Sequence, residues 1–297
     1  MSGFARIIAL LAPSFLAGIV HAPASECSSK AAETLVIALD VGHRPKAPGQ
    51  ECAPFVPCHS GATSARGVVE YDFNLQLAES IEEELIRTGF RSTYLMVPAP
   101  DTTLQARVDR ASALKADLLI SVHHDGVRDQ FLMPWTFEGR KNWYFDQSSG
   151  FSLHVSTRNP KFADSLGLAR SIADELIASG LHVSTAHEPA NPFGARAPYI
   201  DAPRGIYRRD ALHVVSHARM PAVLLEGGTI VNRNEELEVS KPDYRSKVAA
   251  SVAAAIGSFC NAGSDAAYAG KNLPNQNPRA RKRMRRIRTT APAHVRL

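Results

Sequence analysis

Two histidines and two glutamates stand where a folded chain would place chemistry. His123 ends the run Leu118-Leu-Ile-Ser-Val-His123 and is followed by His124 and Asp125. His43 follows Thr34-Leu-Val-Ile-Ala-Leu-Asp-Val-Gly42. Glu226 closes Pro221-Ala-Val-Leu-Leu225 and precedes Gly227-Gly228, while Glu70 opens an amphipathic stretch between the two histidines. The apolar runs read as short buried strands. In open α/β sheets ligands bind at the carboxyl ends of strands. Imidazole and carboxylate both suit zinc, and a catalytic zinc takes about three protein ligands and keeps a position open. His43, Glu70 and His123 fit that count. Their separations of 27 and 53 residues match no short metal-binding spacing, so residue type and placement carry the reading.

The elements that must position these groups follow from periodicity. After the first strand comes a Pro- and Gly-rich loop over 44–67. A helix is expected over 69–88, with Phe73, Leu77, Ile81 and Leu85 four apart on one face and Gly89 as its stop. A strand over 90–96 and a helix over 103–115 lead to the strand at 117–122 that delivers His123. Residues 126–150 break the pattern and hold both tryptophans, Trp135 and Trp143. That segment is read either as a lid or glycan contact over the site, or as a packed surface loop. A strand over 151–156 and a helix over 161–179 resume the alternation; 183–203 read as loop, with a strand near 206–208, the Glu226 strand, and helices within 234–259. Strands alternating with helices predict one α/β domain, with a mostly parallel twisted sheet of about six strands and helices on both faces.

Four stretches, in this order, carry a resemblance: Val36-Ile-Ala-Leu-Asp-Val-Gly-His43, Glu70-Tyr-Asp-Phe-Asn-Leu75, Arg107 with Ala116-Asp-Leu-Leu-Ile-Ser-Val-His123, and Met220-Pro-Ala-Val-Leu-Leu-Glu226-Gly-Gly. The chain resembles zinc-dependent N-acetylmuramoyl-L-alanine amidases of the amidase-3 type. The resemblance implies one zinc ion on His43, Glu70 and His123, Glu226 as catalytic base, and hydrolysis of the amide joining N-acetylmuramic acid to L-alanine in peptidoglycan. Departures exist. Arg44-Pro45 stands where the family usually has Gly-Gly, and His123-His124-Asp125 where it has His-Ala-Asn. His124 and Asp125 are expected to orient a ligand or touch substrate, with His124 favoured as a rim residue. Arg107 is expected to support the site by an ion pair. Two rivals stay open: another zinc amide hydrolase on the same fold, and a non-enzymatic binder of cell wall or polyanion. Nothing in the motifs specifies an activator protein.

The termini differ from the body. Arg6, the apolar run Ile7–Val20 and Ala22-Pro-Ala24 read as a secretory signal peptide over 1–24, and imply export to the periplasm or the outside. The catalytic domain is expected over 25–260. In an exported chain the four cysteines suggest two disulfides, Cys52–Cys58 and Cys27–Cys260. Residues 261–297 hold nine Lys or Arg against one acid, so a tail of +8 follows a body of −3. This tail is poor in apolar residues and reads as disordered when free, with polyanion contact as its expected use. Export argues against a dedicated nucleic-acid role.

Overall fold

The computed structural model describes residues 30, 32–56, 58–187, 191, 193 and 196–261. The expected signal peptide, Cys27 and the basic tail lie outside them. Among the described residues nine strands form: β1 Ile37–Val41, β2 Thr93–Met96, β3 Leu118–Asp125, β4 Met133–Phe137, β5 Arg140–Tyr144, β6 Ser152–Val155, β7 Tyr199–Asp201, β8 Ile206–Arg208 and β9 Ala222–Thr229. Six helices accompany them: α1 Glu70–Arg87, α2 Leu104–Ala113, α3 Phe162–Ala178, α4 His213–His217, α5 Glu235–Val239 and α6 Pro242–Asn261. Seven strands make one sheet in the order β2-β1-β3-β9-β6-β8-β7. Pairing is parallel except at β6–β9 and β7–β8. The sheet thus has seven strands where about six were expected. The extra one, β7, lies in the stretch read as loop; three residues are too few for a period-2 signal.

Alternation along the strands separates the two faces. Ile37, Leu39 and Val41 share one face with Leu118, Ile120 and Val122, and with Val223, Leu225, Leu153 and Val155. That face is largely apolar and is covered by α1, α3 and α6, with α6 packed against the other two. α1 buries Leu77, Ala78, Ile81 and Leu85 there. The opposite face is apolar only toward the strand starts, where Ala38, Leu119, Ala222 and Leu224 meet Ala111 of α2 and Val214 and Val215 of α4. Further along it turns polar, through Asp40, Ser121, His123, Glu226, Ser152 and His154. Two short helices cannot cover the full strand length, so the carboxyl ends stay open for a site.

Residues 126–150 contain a hairpin that the sequence reading missed. β4 and β5 pair antiparallel across Glu138-Gly139, both at positive φ (49° and 74°). A two-residue turn with φ > 0 at both positions is the one that matches the strands' twist.

Candidate active site

β1 and β3 pair in register, and β9 pairs on the other side of β3 with His123 opposite Glu226. His43 lies two residues beyond β1, and Glu70 is the first residue of α1. The ligand atoms of His43, Glu70 and His123 all lie within 4.8 Å of one another. His43 Nε2 is 2.9 Å from Glu70 Oε2, and His123 Nδ1 is 3.0 Å from Glu70 Oε1. Glu70 is buried and receives three further hydrogen bonds. The Ala62 amide donates to Oε2 at 3.0 Å; the Asn74 side-chain amide and the His124 backbone amide donate to Oε1 at 3.1 and 3.3 Å. Burial pushes the Glu70 pKa up, but the His43 charge and the histidine hydrogen bonds overcome it and hold the carboxyl well below its usual range. Burial pushes His43 down; the Glu70 charge and hydrogen bond outweigh that and raise it.

The backbone closes tightly on this cluster. At Gly61, with φ +85°, a Cβ would sit 2.3 Å from Glu70 Oε2 and 2.7 Å from His43 Cδ2, so only glycine fits. The α1 N-terminus has no side-chain cap; the Glu70 and Tyr71 amides donate instead to the carbonyls of Ala62 and Ser60. His43 itself holds φ +63°, a strained conformation that the surroundings must enforce. Arg107 supplies part of that enforcement. Its buried guanidinium pairs with Asp40 at 2.9 Å and donates to the carbonyls of Val41 and His43. Ser121 donates to the other Asp40 oxygen at 2.7 Å. The ion pair expected of Arg107 is therefore made, and it fixes the turn that carries His43.

Glu226 stands beside the cluster and outside it. Its Oε2 is buried without a hydrogen-bond partner among the described residues. Burial, then the charges of Asp125 and Glu70, raise its pKa well above the carboxylate range. After Glu226, β9 carries one extra residue against β3: His123 faces Glu226, but Asp125 faces Thr229. The bulge is made by Gly227-Gly228, with Gly228 at φ +149° and no room for a Cβ beside Val239. Bulges of this kind re-aim side chains next to active sites.

His124 is not on the rim. It is 3 % exposed, and its Nδ1 lies 2.9 Å from Asn74 Oδ1. Burial drives its pKa down to about 4, so the ring is neutral at physiological pH. Along β3 it continues the face of Leu118, Ile120 and Val122, so plain strand alternation sets it under α1 and away from the His123 side. Asp125 pairs with His187 at 2.7 Å, both buried. Sequence reasoning missed Asn74, which ties Glu70 to His124; its signal was the i, i+4 spacing from Glu70 on α1. It also missed Asp40 and His187. A disulfide joins Cys52 to Cys58 in the loop before Gly61. Cys260 is disulfide-bonded too, and its expected partner, Cys27, lies outside the described residues. Among the described residues no helix is long and apolar enough to cross a membrane.

A His–Glu–His cluster that could hold a metal ion stands beside the Glu226 carboxylate at the strand ends of a largely parallel sheet. The chain belongs to the amidase-3 family of N-acetylmuramoyl-L-alanine amidases, whose family model matches residues 37–258. Its enzyme class is that of an amidase acting on peptidoglycan. A similar protein from Bacillus subtilis strain 168, the uncharacterized YqiI, is 25% identical over 201 residues, 67% of this chain and 78% of its own. The fold is shared with Ami1, the N-acetylmuramyl-L-alanine amidase of Mycobacterium smegmatis (20% identity, TM-score 0.59, 78% of this chain and 100% of that one). It is shared as well with an amidase from Clostridium difficile 630 (18% identity, TM-score 0.52, 76% and 97% covered).

Proposed function

We propose that the protein is an exported, zinc-dependent N-acetylmuramoyl-L-alanine amidase that separates stem peptides from the glycan of peptidoglycan. One observation carries the mechanism. Three donors of the types zinc prefers converge within 4.8 Å, and the register partner of one of them presents a buried, unpartnered carboxylate oxygen. The donor set fits zinc: two imidazoles and a carboxylate, with Glu70 oriented by further hydrogen bonds and His43 by a strained, anchored backbone. When bound, the ion supplies a Lewis acid that polarises the scissile carbonyl and acidifies an attacking water.

The chain's own groups do the rest. Glu226 Oε2 accepts the proton of the attacking water and hands it to the departing L-alanine nitrogen. Burial beside Asp125 and Glu70 favours the protonated carboxyl, which lets Glu226 keep the accepted proton until the leaving nitrogen takes it. Asn74 holds Glu70 on one side and His124 on the other. Arg107, itself away from the reacting atoms, holds the His43 turn. The expected signal peptide and the family's work on cell wall support export, and the Cys52–Cys58 disulfide suits an oxidising compartment. The basic tail serves to hold the enzyme near anionic wall polymer or lipid, an attraction that salt weakens.

Mass spectrometry of digested sacculi tests the reading. The expected products are stem peptides with a free L-alanine amine and glycan with free lactyl carboxyls. Chelation abolishes release and added zinc restores it. Cleavage inside the peptide or between sugars would overturn the assignment.

A further inference from the structure

Phe55 is the most exposed large apolar side chain among the described residues, at 59%, with Val56 next to it at 50%. Nothing about its position is casual. The Cys52–Cys58 disulfide closes the loop around it. Its backbone adopts φ +68°, a conformation a bulky residue avoids unless the surroundings impose it. Its amide donates to Asp129 Oδ2 at 2.7 Å, and its ring meets Trp143 of β5 edge-on, with centroids 5.4 Å apart. Lys141 lies over the Trp143 ring at 4.7 Å. A strained, cross-linked loop thus presents two aromatic rings and a cation at the surface.

The other tryptophan is arranged differently. Trp135 donates from Nε1 to Ala65 O at 2.7 Å and stacks on Phe137. Arg66 and Arg233 cover it, and they are paired with Glu236 and Asp146. It is the fastening of the ribbon, and it ties the ribbon to the loop that carries Gly61 and Ala62. Ala65 is three residues past Ala62, whose amide holds Glu70, so the anchor lies within about 10 Å of chain from the cluster. The ribbon that carries Trp143 is thus fastened to the same loop that holds Glu70.

Resting on the amidase reading, we propose that the Cys52–Cys58 loop and the β4–β5 ribbon form a binding platform for the N-acetylated amino-sugar strand of the substrate. Phe55 and Trp143 are its stacking surface, with Lys141 donating to sugar hydroxyls and acetamido carbonyls. Aromatic rings give a large rigid contact for the apolar face of a sugar ring at little entropic cost. Charge selects this occupant. One cation, Lys141 over Trp143, and one anion, Asp129 on the Phe55 amide, flank the rings, so the patch has no single sign that would draw an anionic lipid or polyanion. A polymer that is polar and uncharged along its sugar backbone suits it.

Both tryptophans of the chain lie in the ribbon, so intrinsic fluorescence reports on it alone. The full chain is titrated with a soluble β-1,4-linked N-acetylglucosamine oligomer. A saturable change in emission is expected. In Phe55→Ala, where Trp143 still reports, the midpoint should move roughly five- to tenfold upward, the size of one lost aromatic contact. In Trp143→Ala, calorimetry with the same oligomer and co-sedimentation with sacculi should show matching loss, with zinc uptake retained as the check of folding. No saturable response in the unmodified chain, or unchanged midpoints in zinc-loaded variants, would overturn the platform. Equal responses to anionic vesicles and to oligomer would also overturn it, by showing a nonspecific apolar patch. The oligomer has no muramoyl amide, so its binding is independent of hydrolysis. Failure of the amidase reading would appear separately, as an uncleaved muramoyl-peptide.

Discussion

Glu70 accepts hydrogen bonds from Ala62, Asn74 and the His124 backbone while facing two imidazoles, and it is 4% exposed. Phe55, a few residues before Ala62 in the chain, is 59% exposed and touches the molecule through one amide and one ring edge. The cradle and its rim are built by opposite means. The cradle comes from long-range register: β1, β3 and β9 must align before His43, His123 and Glu226 can meet. The rim comes from short-range devices: a disulfide over six residues, a two-residue turn, and cations laid on rings. Buried polar networks fail when one member is lost, whereas exposed contacts are worth little singly. Damage should therefore be large and global at the cradle, and small and local at the rim.

The largest effect is expected at Glu226. Glu226→Gln keeps size and removes the base, so turnover should fall by about 10²–10⁴ while zinc stays bound. Glu70→Ala and His123→Ala should lose zinc and activity together. Metal analysis beside a sacculus assay separates the two classes. A Gln variant that loses zinc as fully as the Ala variants would place Glu226 inside the cradle and erase the distinction between base and ligand.

Next comes Arg107. Arg107→Met leaves Asp40, 0% exposed, charged and without its cation. Removing one partner of a buried pair costs about 3–5 kcal/mol. Chemical denaturation should show that loss, and the double variant Arg107→Met/Asp40→Leu should recover part of it. Equal stability of the single and double variants would show that the pair is not what holds the His43 turn.

The same contrast explains what was legible in the sequence. The cradle could be read because each of its strands is an apolar run ending in a reactive group, and α1 repeats Phe73, Leu77, Ile81 and Leu85 at helical spacing. The bulge at Gly227-Gly228 could not be read as a shift of register, whereas the inward side of His124 was legible in its two-residue alternation with Ile120 and Val122 and was missed. Asp40 and Ser121 looked like irregularities in apolar strands; only the sheet reveals that they face each other across β1 and β3. At the rim, the hairpin was hidden because β4 and β5 alternate poorly; the turn residues Glu138-Gly139 were the available signal. Asp125 with His187 joins a strand end to a distant loop, a pairing with no local trace.

A smaller effect is expected between cradle and rim, at Glu235 on α5. Its Oε1 accepts from the Gly150 amide at 2.7 Å and lies against the Gly228 bulge. Burial, despite hydrogen bonds from Gly150 and Thr229, raises its pKa to about 7. In the unfolded chain the value is about 4.3. Between those values the folded state holds the extra proton, so this group's contribution makes stability fall as pH rises from roughly 4.5 to 7. The loss is on the order of 3–4 kcal/mol. Glu235→Gln keeps the acceptor and abolishes titration, so its unfolding free energy should exceed that of the parent at pH 8 and converge with it near pH 4.5. Parallel stability curves for the two proteins would show that the carboxyl titrates normally.

The smallest effect is expected at the rim. Cys52→Ser opens a short loop, and the chain-entropy argument puts the loss at about 2 kcal/mol. For a domain of this size that is a fall in Tm of roughly 4–8 °C. The cradle should not feel it, because the bonds that hold Glu70 come from Ala62, Asn74 and His124, all beyond the loop in the chain. Zinc affinity of the Ser variant, measured by competition with a chelating dye, should match that of the parent, while Phe55 loses its fixed presentation. The disulfide then acts on what the enzyme grips and not on how it cuts. If opening the loop also weakens zinc binding tenfold or more, the Gly61 turn depends on the cross-link, and cradle and rim are one mechanical unit.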